Sequence, residues 1–335
     1  MSIGRSPGAA APGDGGVLER AALRCLRLVD RRAAVSVLIF HRVLEAPDAF
    51  RWGDPRVAEF DAIVAGITRH FTVLPLREAL ARLTAGALPR RAAAITFDDG
   101  YRDNLTVAAP VLRRHGVPAT VFVATGYWDG GWMWNDRIIE SVRNTGRASV
   151  PAREGVYAAM ALDDEAARVR AAHAVIEAIR RRPADERARE VAVLEERLEV
   201  RLPAGPMMSF ADVRAIRAAG WDVGAHTVSH PILRTLDDTA ARREIEDSRA
   251  ALVDALREPI DLFAYPNGKP GADYTPAHVA MVRAAGFRAA VSTRPAPALP
   301  GVDMHEVPRF TPWDRAPDRF CLRLGASRVT ARRAA

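Results

Sequence analysis

The stretch Ala92-Ala93-Ala94-Ile95-Thr96-Phe97-Asp98-Asp99-Gly100-Tyr101 decides how this chain is read. An apolar run of strand length stops abruptly at two adjacent carboxylates and a glycine. Short continuous apolar runs bounded by turn residues suit strands buried on both faces, the kind that build parallel sheets. Two carboxylates at the mouth of such a strand repel each other unless a cation or a proton separates their roles. Adjacent side chains also point in different directions, so one carboxylate can bind a metal while its neighbour faces a reactant. In isolation, an ordinary Asp-Asp-Gly turn is the simpler reading.

Outward from this stretch the chain alternates short apolar, β-branched runs with helical patterns. The runs Val35–His41, Phe71–Leu74, Ala93–Phe97, Ala119–Ala124, Trp221–His226, Ile260–Tyr265, Arg288–Ser292 and Glu306–Phe310 read as strands. Between them Phe60–Arg69, Leu76–Thr84, Ala109–His115, Phe210–Ala219, Thr239–Leu256 and Pro276–Ala285 read as helices. Repeated β-then-α alternation predicts an α/β fold, either an open parallel sheet or a barrel. Residues 127–207 break the rhythm. They open on Tyr127-Trp128-Asp129-Gly130-Gly131-Trp132-Met133-Trp134 and continue as Arg/Glu-rich helices over 165–182 and 184–199, separated by Pro183. This segment reads as a helical insertion in one β-to-α connection. The expected organisation is a disordered N-terminus and basic helix (1–32), one catalytic domain (33–320) carrying the insertion, and a basic tail (321–335). The pattern over Val17 to Val29 fits a helix that caps the domain or lies on a membrane surface.

Composition excludes several classes. Of 335 residues 49% are hydrophobic and 27% charged, ordinary globular usage. The net charge of +7 and a sequence pI near 10.1 raise the question of nucleic acid. However, Lys269 is the single lysine, and the arginines that supply the other bases interleave with Asp and Glu. That pattern describes a solvated surface, and no nucleic-acid partner is expected. Cys25 and Cys321 are too few and too far apart for a Cys-based zinc cluster. No apolar run reaches the ~18 residues of a membrane span. With no clear export signal after Arg31-Arg32, a cytoplasmic location is the default expectation, with contact at a membrane surface as a variant of it.

A second strand end carries chemistry: Trp221–Ala225 leads into His226-Thr227-Val228-Ser229-His230-Pro231. Two histidines four apart place neutral imidazoles on one cation, on a helical turn or a compact loop. With one carboxylate from the first motif they form a three-ligand set that leaves positions open, the arrangement of a catalytic rather than a structural site. The second carboxylate is then available as a general base, and the combination implies metal-assisted hydrolysis.

Together, Thr96–Tyr101 and His226–His230 resemble the first two signature motifs of the polysaccharide deacetylase family (NodB homology, carbohydrate esterase family 4). Leu262-Phe263-Ala264-Tyr265-Pro266-Asn267-Gly268 resembles the third, in its exopolysaccharide-type form. The resemblance covers roughly residues 35–125 and 208–311, with the motifs in family order. It implies a distorted (β/α)7-8 barrel, a divalent metal (most often Zn2+) and hydrolysis of an N-acetyl group on an amino sugar of a glycan. By position, Asp98 would be the general base, Asp99, His226 and His230 the metal ligands, and the Tyr265 N–H an oxyanion donor.

Two departures stand out. The arginine that opens the third motif in many members is absent; Arg309, in Val307-Pro308-Arg309-Phe310, is a candidate replacement, or else a surface ion pair. The C-terminal histidine motif is also missing, and His305 begins a predicted strand, at the wrong end. His41, ending Val37-Leu38-Ile39-Phe40-His41, resembles the N-terminal His-Arg motif of the poly-N-acetylglucosamine deacetylase branch, which implies a general-acid role; a histidine that only packs is the alternative. His70, His115, His173 and His278 read as surface residues. Trp128, Trp132, Trp134 and Trp313 suit platforms for sugar faces, and Trp132 and Trp134 equally suit anchors for the insertion. The competing functions are a related carbon–nitrogen hydrolase acting on a formamido sugar or cyclic ureide, and a noncatalytic sugar-binding module.

Overall fold

The structure, a computed structural model, describes Leu23, Asp30 and residues 33–128, 130–311 and 314–331. The expectations for residues 1–16, for the helix over 17–29 apart from Leu23, and for Cys25 and Trp313 lie outside the described residues.

Among the described residues seven strands form one sheet: β1 (Val35–Phe40), β2 (Thr72–Val73), β3 (Ala92–Phe97), β4 (Thr120–Val123), then β7 (Asp222–Ala225), β8 (Leu262–Ala264) and β9 (Ala289–Val291). Their order is β1-β3-β4-β7-β8-β9, all parallel, with β2 also paired to β3. β1 follows β3 along its whole length, whereas β2 takes the first two residues of β3 and β4 the last two. Side chains alternate between two cores, as strand geometry requires. Val35, Val37, Ala92, Ala94, Phe122, Leu262, Ala264 and Val291 point to the inside of the curved sheet. There the helix Leu76–Thr84 buries Leu76, Ala79, Leu80 and Leu83 against them. Small alanines on β3 leave room for that helix. Gly224 does the same for Phe122, because a Cβ at 224 would lie 2.6 Å from the Phe122 ring. Leu38, Phe40, Ile95, Phe97, Val121 and Phe263 face outward under the surrounding helices.

The predicted strand Glu306–Phe310 is not a strand. Its residues make two isolated parallel bridges, Val307 to Val291 on β9 and Phe310 to Leu38 on β1. Pro308 lies between them and has no N–H to donate, so a regular ladder cannot form. The segment nevertheless closes the ring between the first and last strands, with Phe310 N donating to Val37 O at 2.7 Å. The fold is therefore the distorted parallel barrel the family resemblance implies.

Residues 127–207 hold more structure than the two helices read from the sequence. Besides helices Glu165–Ile179 and Ala184–Leu198, this segment holds a third, Trp134–Asn144, and a small antiparallel pair, β5 (Ser149–Val150) with β6 (Met160–Ala161). These elements share a core of their own, including Ile138, Val142, Val175, Ile179, Val191 and Leu194. Residues 321–331 correct the basic-tail reading. The helix Pro317–Thr330 packs Phe320, Cys321 and Leu324 into the main core, all fully buried. Its Arg328 is buried too and donates to Asp30 at 2.7 Å. Three apolar residues at helical spacing outweigh the arginines that made this stretch look solvated. Among the described residues no helix is long and apolar enough to cross a membrane.

Candidate metal centre and active site

The chemistry-bearing residues gather at the C-terminal ends of the strands, the face on which parallel α/β folds build sites. Asp98 follows β3 directly, and its N–H donates to Phe40 O at 2.9 Å, tying the tops of β1 and β3 together. Its carboxylate is 2% exposed and meets Arg309 in a fork: Nη1 to Oδ1 and Nη2 to Oδ2, each 2.7 Å. Arg309 is itself fully buried, and its remaining donors reach Ser292 O (3.0 Å) and Thr96 Oγ1 (3.2 Å). Two parallel charge-assisted bonds hold an orientation as well as a charge. Burial pushes the Asp98 carboxyl upward, but the Arg309 guanidinium, together with His226 and His41, outweighs it and keeps the group below the usual carboxylate range. The arginine missing from the third motif is thus supplied across the barrel, from the segment that closes it.

Asp99 adopts φ +74°, which turns its side chain away from that pair. Its Oδ1 is buried, has no hydrogen-bond partner, and lies 3.4 Å from both His226 Nε2 and His230 Nε2. His226 Nδ1–H donates to Ala264 O at 2.8 Å, which leaves the Nε2 lone pair facing Asp99. Burial drives the His230 imidazole down to about 3, so it stands neutral, as a ligand must. Burial acts on His226 in the same direction, but Asp98 and Asp99 overcome it and raise its affinity for a proton. The pocket therefore asks for positive charge. Two ligands each about 2.1 Å from a tetrahedral ion stand about 3.4 Å apart, so the orphaned Asp99 oxygen and its two neighbours fit a divalent cation. All three donor atoms lie within 4.8 Å of one another.

The loop carrying the histidines is compact rather than helical. Thr227 (φ +65°) and His230 (φ +51°) are left-handed, and Thr227 Oγ1 accepts from His230 N at 3.1 Å. Glu244, on the helix Asp238–Leu256, accepts from Val228 N and Ser229 N at 2.8 Å each. A Cβ at Gly126 would come within 2.8 Å of Val228 O, so only glycine lets the neighbouring strand end approach this loop.

His41 stands one residue past β1, exposed, with its carbonyl held by Asn104 Nδ2 at 2.8 Å. Asn104 opens a π-helical turn, Asn104–Ala108, that absorbs Pro110 in the predicted helix. A cavity of about 50 Å³ is lined by His41 and Asp54, among others. Burial pushes the Asp54 carboxyl up to about 6, against the pull of His41 and Arg42. A larger cavity of about 530 Å³ beside Arg42, Asp48 and Arg143 contains none of the proposed ligands.

Other expected residues sit elsewhere. The Tyr265 N–H donates to Val291 O at 3.2 Å within the sheet, so it is already committed and does not serve as an oxyanion donor. The Tyr265 ring is buried against Tyr274, and its hydroxyl donates to His305 O. His278 is buried, not a surface residue; it caps its helix with Thr275. His115 pairs with Asp61, and His173 meets Phe50 O at 3.3 Å. Trp132 Nε1 donates to Pro203 O and Trp134 lies under Arg187, so both anchor the insertion. Trp128 stacks on Phe210. Asn104, Glu244 and Asp54 carry no motif, and nothing local in the sequence marks them.

Comparison with known proteins agrees with this geometry. A family model described as polysaccharide deacetylase matches residues 85–152 and 195–290, on either side of the insertion's last two helices apart from the final turn of the second. A putative polysaccharide deacetylase of Bacillus subtilis, YxkH, is 43% identical over 54 residues, which is 16% of this chain and only 19% of that protein. The Streptococcus pyogenes deacetylase PplD, solved with acetate, superposes with a TM-score of 0.58 at 16% identity, covering 87% of this chain and 97% of that one. IcaB from Ammonifex degensii superposes with a TM-score of 0.53 at 21% identity, covering 86% and 97%. The motifs in order, the barrel and the family-model match over residues 85–152 and 195–290 together make the chain similar to the polysaccharide deacetylases.

Proposed function

We propose that the protein is a metal-dependent hydrolase that removes N-acetyl groups from an amino sugar within a glycan. One observation carries this reading: Asp98, kept ionised and aimed by the Arg309 fork, stands beside the Asp99, His226 and His230 donor set. Asp99, His226 and His230 would hold the cation, and zinc suits two imidazoles and a carboxylate. When bound, it supplies Lewis acidity, polarising an amide carbonyl and acidifying water.

The protein's own groups do the rest. Asp98 Oδ1 and Oδ2 each keep a lone pair beyond the Arg309 bonds, so the carboxylate accepts the proton of the attacking water. The water oxygen bonds to the amide carbon, and the carbon–nitrogen bond breaks. His41, at the exposed mouth, gives its proton to the departing nitrogen, yielding acetate and a free amine. Among the described residues the Asn267 N–H makes no hydrogen bond, and this strand end leaves it open to a developing oxyanion. The form of the Leu262–Gly268 motif and the likeness to IcaB favour an exopolysaccharide-type substrate.

The test is acetate release across a panel of N-acetylated glycans, with zinc content measured alongside. Asp98→Asn loses at least about 100-fold in turnover and keeps its zinc. Unchanged acetate release from that variant overturns the mechanism; formate or a carbamoyl product assigns the site to a different amide.

A further inference from the structure

The insertion's helix Ala184–Leu198 reaches the metal loop with Arg187. Arg187 is 2% exposed, and its Nε has no hydrogen-bond partner. Its guanidinium lies 4.8 Å over the Trp134 ring. Its Nη2 donates to Ser229 O at 3.1 Å and lies 3.5 Å from His230 O.

The loop's other carbonyls are each held by a neighbour. His226 O accepts from Thr227 Oγ1, Thr227 O from Thr125 N and Val228 O from Gly126 N. Ser229 O accepts from the Tyr127 hydroxyl at 2.9 Å as well as from Arg187. Glu244 holds the N–H side of the same turn. The carbonyl of His230, the ligand at the loop's far end, is approached by Arg187. Burying a guanidinium with an unpartnered donor is costly, and an apolar side chain of the same length would pack over Trp134 more cheaply. A cation kept there is explained by what it holds.

We infer that Arg187 is a positioning residue for the metal centre: the insertion clamps the backbone of Ser229 and His230 so that the His230 imidazole stays aimed at Asp99. This inference rests on the reading of Asp99, His226 and His230 as metal ligands. Groups beyond the direct ligands typically contribute 10–100-fold to metal affinity.

The test measures zinc affinity by chelator competition, and the melting temperature of the metal-free protein, on the full chain. Arg187→Met weakens zinc binding about tenfold or more, while the metal-free melting temperature holds or rises because a buried unpaired charge is gone. Arg187→Lys, which keeps a charged N–H donor group on a shorter reach, falls between Met and wild type. Should Arg187→Met not fold, the Lys variant alone decides, by weaker zinc binding at an unchanged melting temperature. Wild-type affinity in the variants overturns the inference, as does a loss of affinity that only tracks a lower melting temperature. A wild-type protein that binds no zinc overturns the metal centre itself.

Discussion

Arg309→Met removes one half of a fully buried ion pair. Asp98 then keeps its burial and loses both 2.7 Å bonds, while Ser292 O and Thr96 Oγ1 lose a donor each. Removing one partner of such a pair costs about 3–5 kcal/mol, because the remaining charge is left without compensation. Removing both charges restores much of that loss, so Arg309→Met with Asp98→Asn is less destabilised than the sum of the single changes. The expected coupling is at least about 2 kcal/mol. Urea unfolding of the metal-free wild type, the two single variants and the double variant completes the cycle. Zinc binding is a separate readout: Arg309 bonds to Ser292, Thr96 and Asp98 rather than to the three ligands, and His226 Nε2 stands 3.9 Å from Asp98 Oδ2, beyond a hydrogen bond, so Arg309→Met keeps zinc while acetate release falls at least about 100-fold. Additivity within about 0.5 kcal/mol refutes the pairing, and full activity in Arg309→Met refutes its role in aiming the base.

Two further outcomes follow from the burial pattern. Asp54 has an ordinary pKa of 3.8 and a folded value of about 6, so the unfolded chain releases its proton first and stability falls as pH rises between those values. Asp54→Asn removes that loss and is more stable than wild type at pH 7.5 by at most about 3 kcal/mol, with the gap closing towards pH 4; an equal gap at both pH values contradicts it. Phe320→Ala opens a cavity in the main core and costs about 3–5 kcal/mol in urea unfolding, whereas a solvated tail predicts no change.

The parts legible in the residues are those whose physics is local. Alternating apolar runs announce strands and helices because side-chain direction repeats every two or 3.6 residues. Asp98-Asp99 and His226…His230 announce a metal-assisted site because both motifs sit where a strand must stop. Adjacent residues leaving a strand diverge, so the split between base and ligand is already implied there. Even so, the Tyr265 N–H shows the limit of local reading, since its neighbouring strand claims it.

Partners far apart in the chain escape such reading, since a charge does not reveal whom it will face. Arg309 meets Asp98 across 211 positions only because 307–310 closes the ring between β9 and β1. Arg328 and Arg187 look like members of a solvated arginine surface until packing buries them, one at Asp30 and one behind His230. Periodicity therefore suffices for the α/β alternation, and the motifs with their family resemblance for the barrel and the candidate ligands. Which arginines became part of the site was settled by long-range packing, where burial makes each charge need a particular partner.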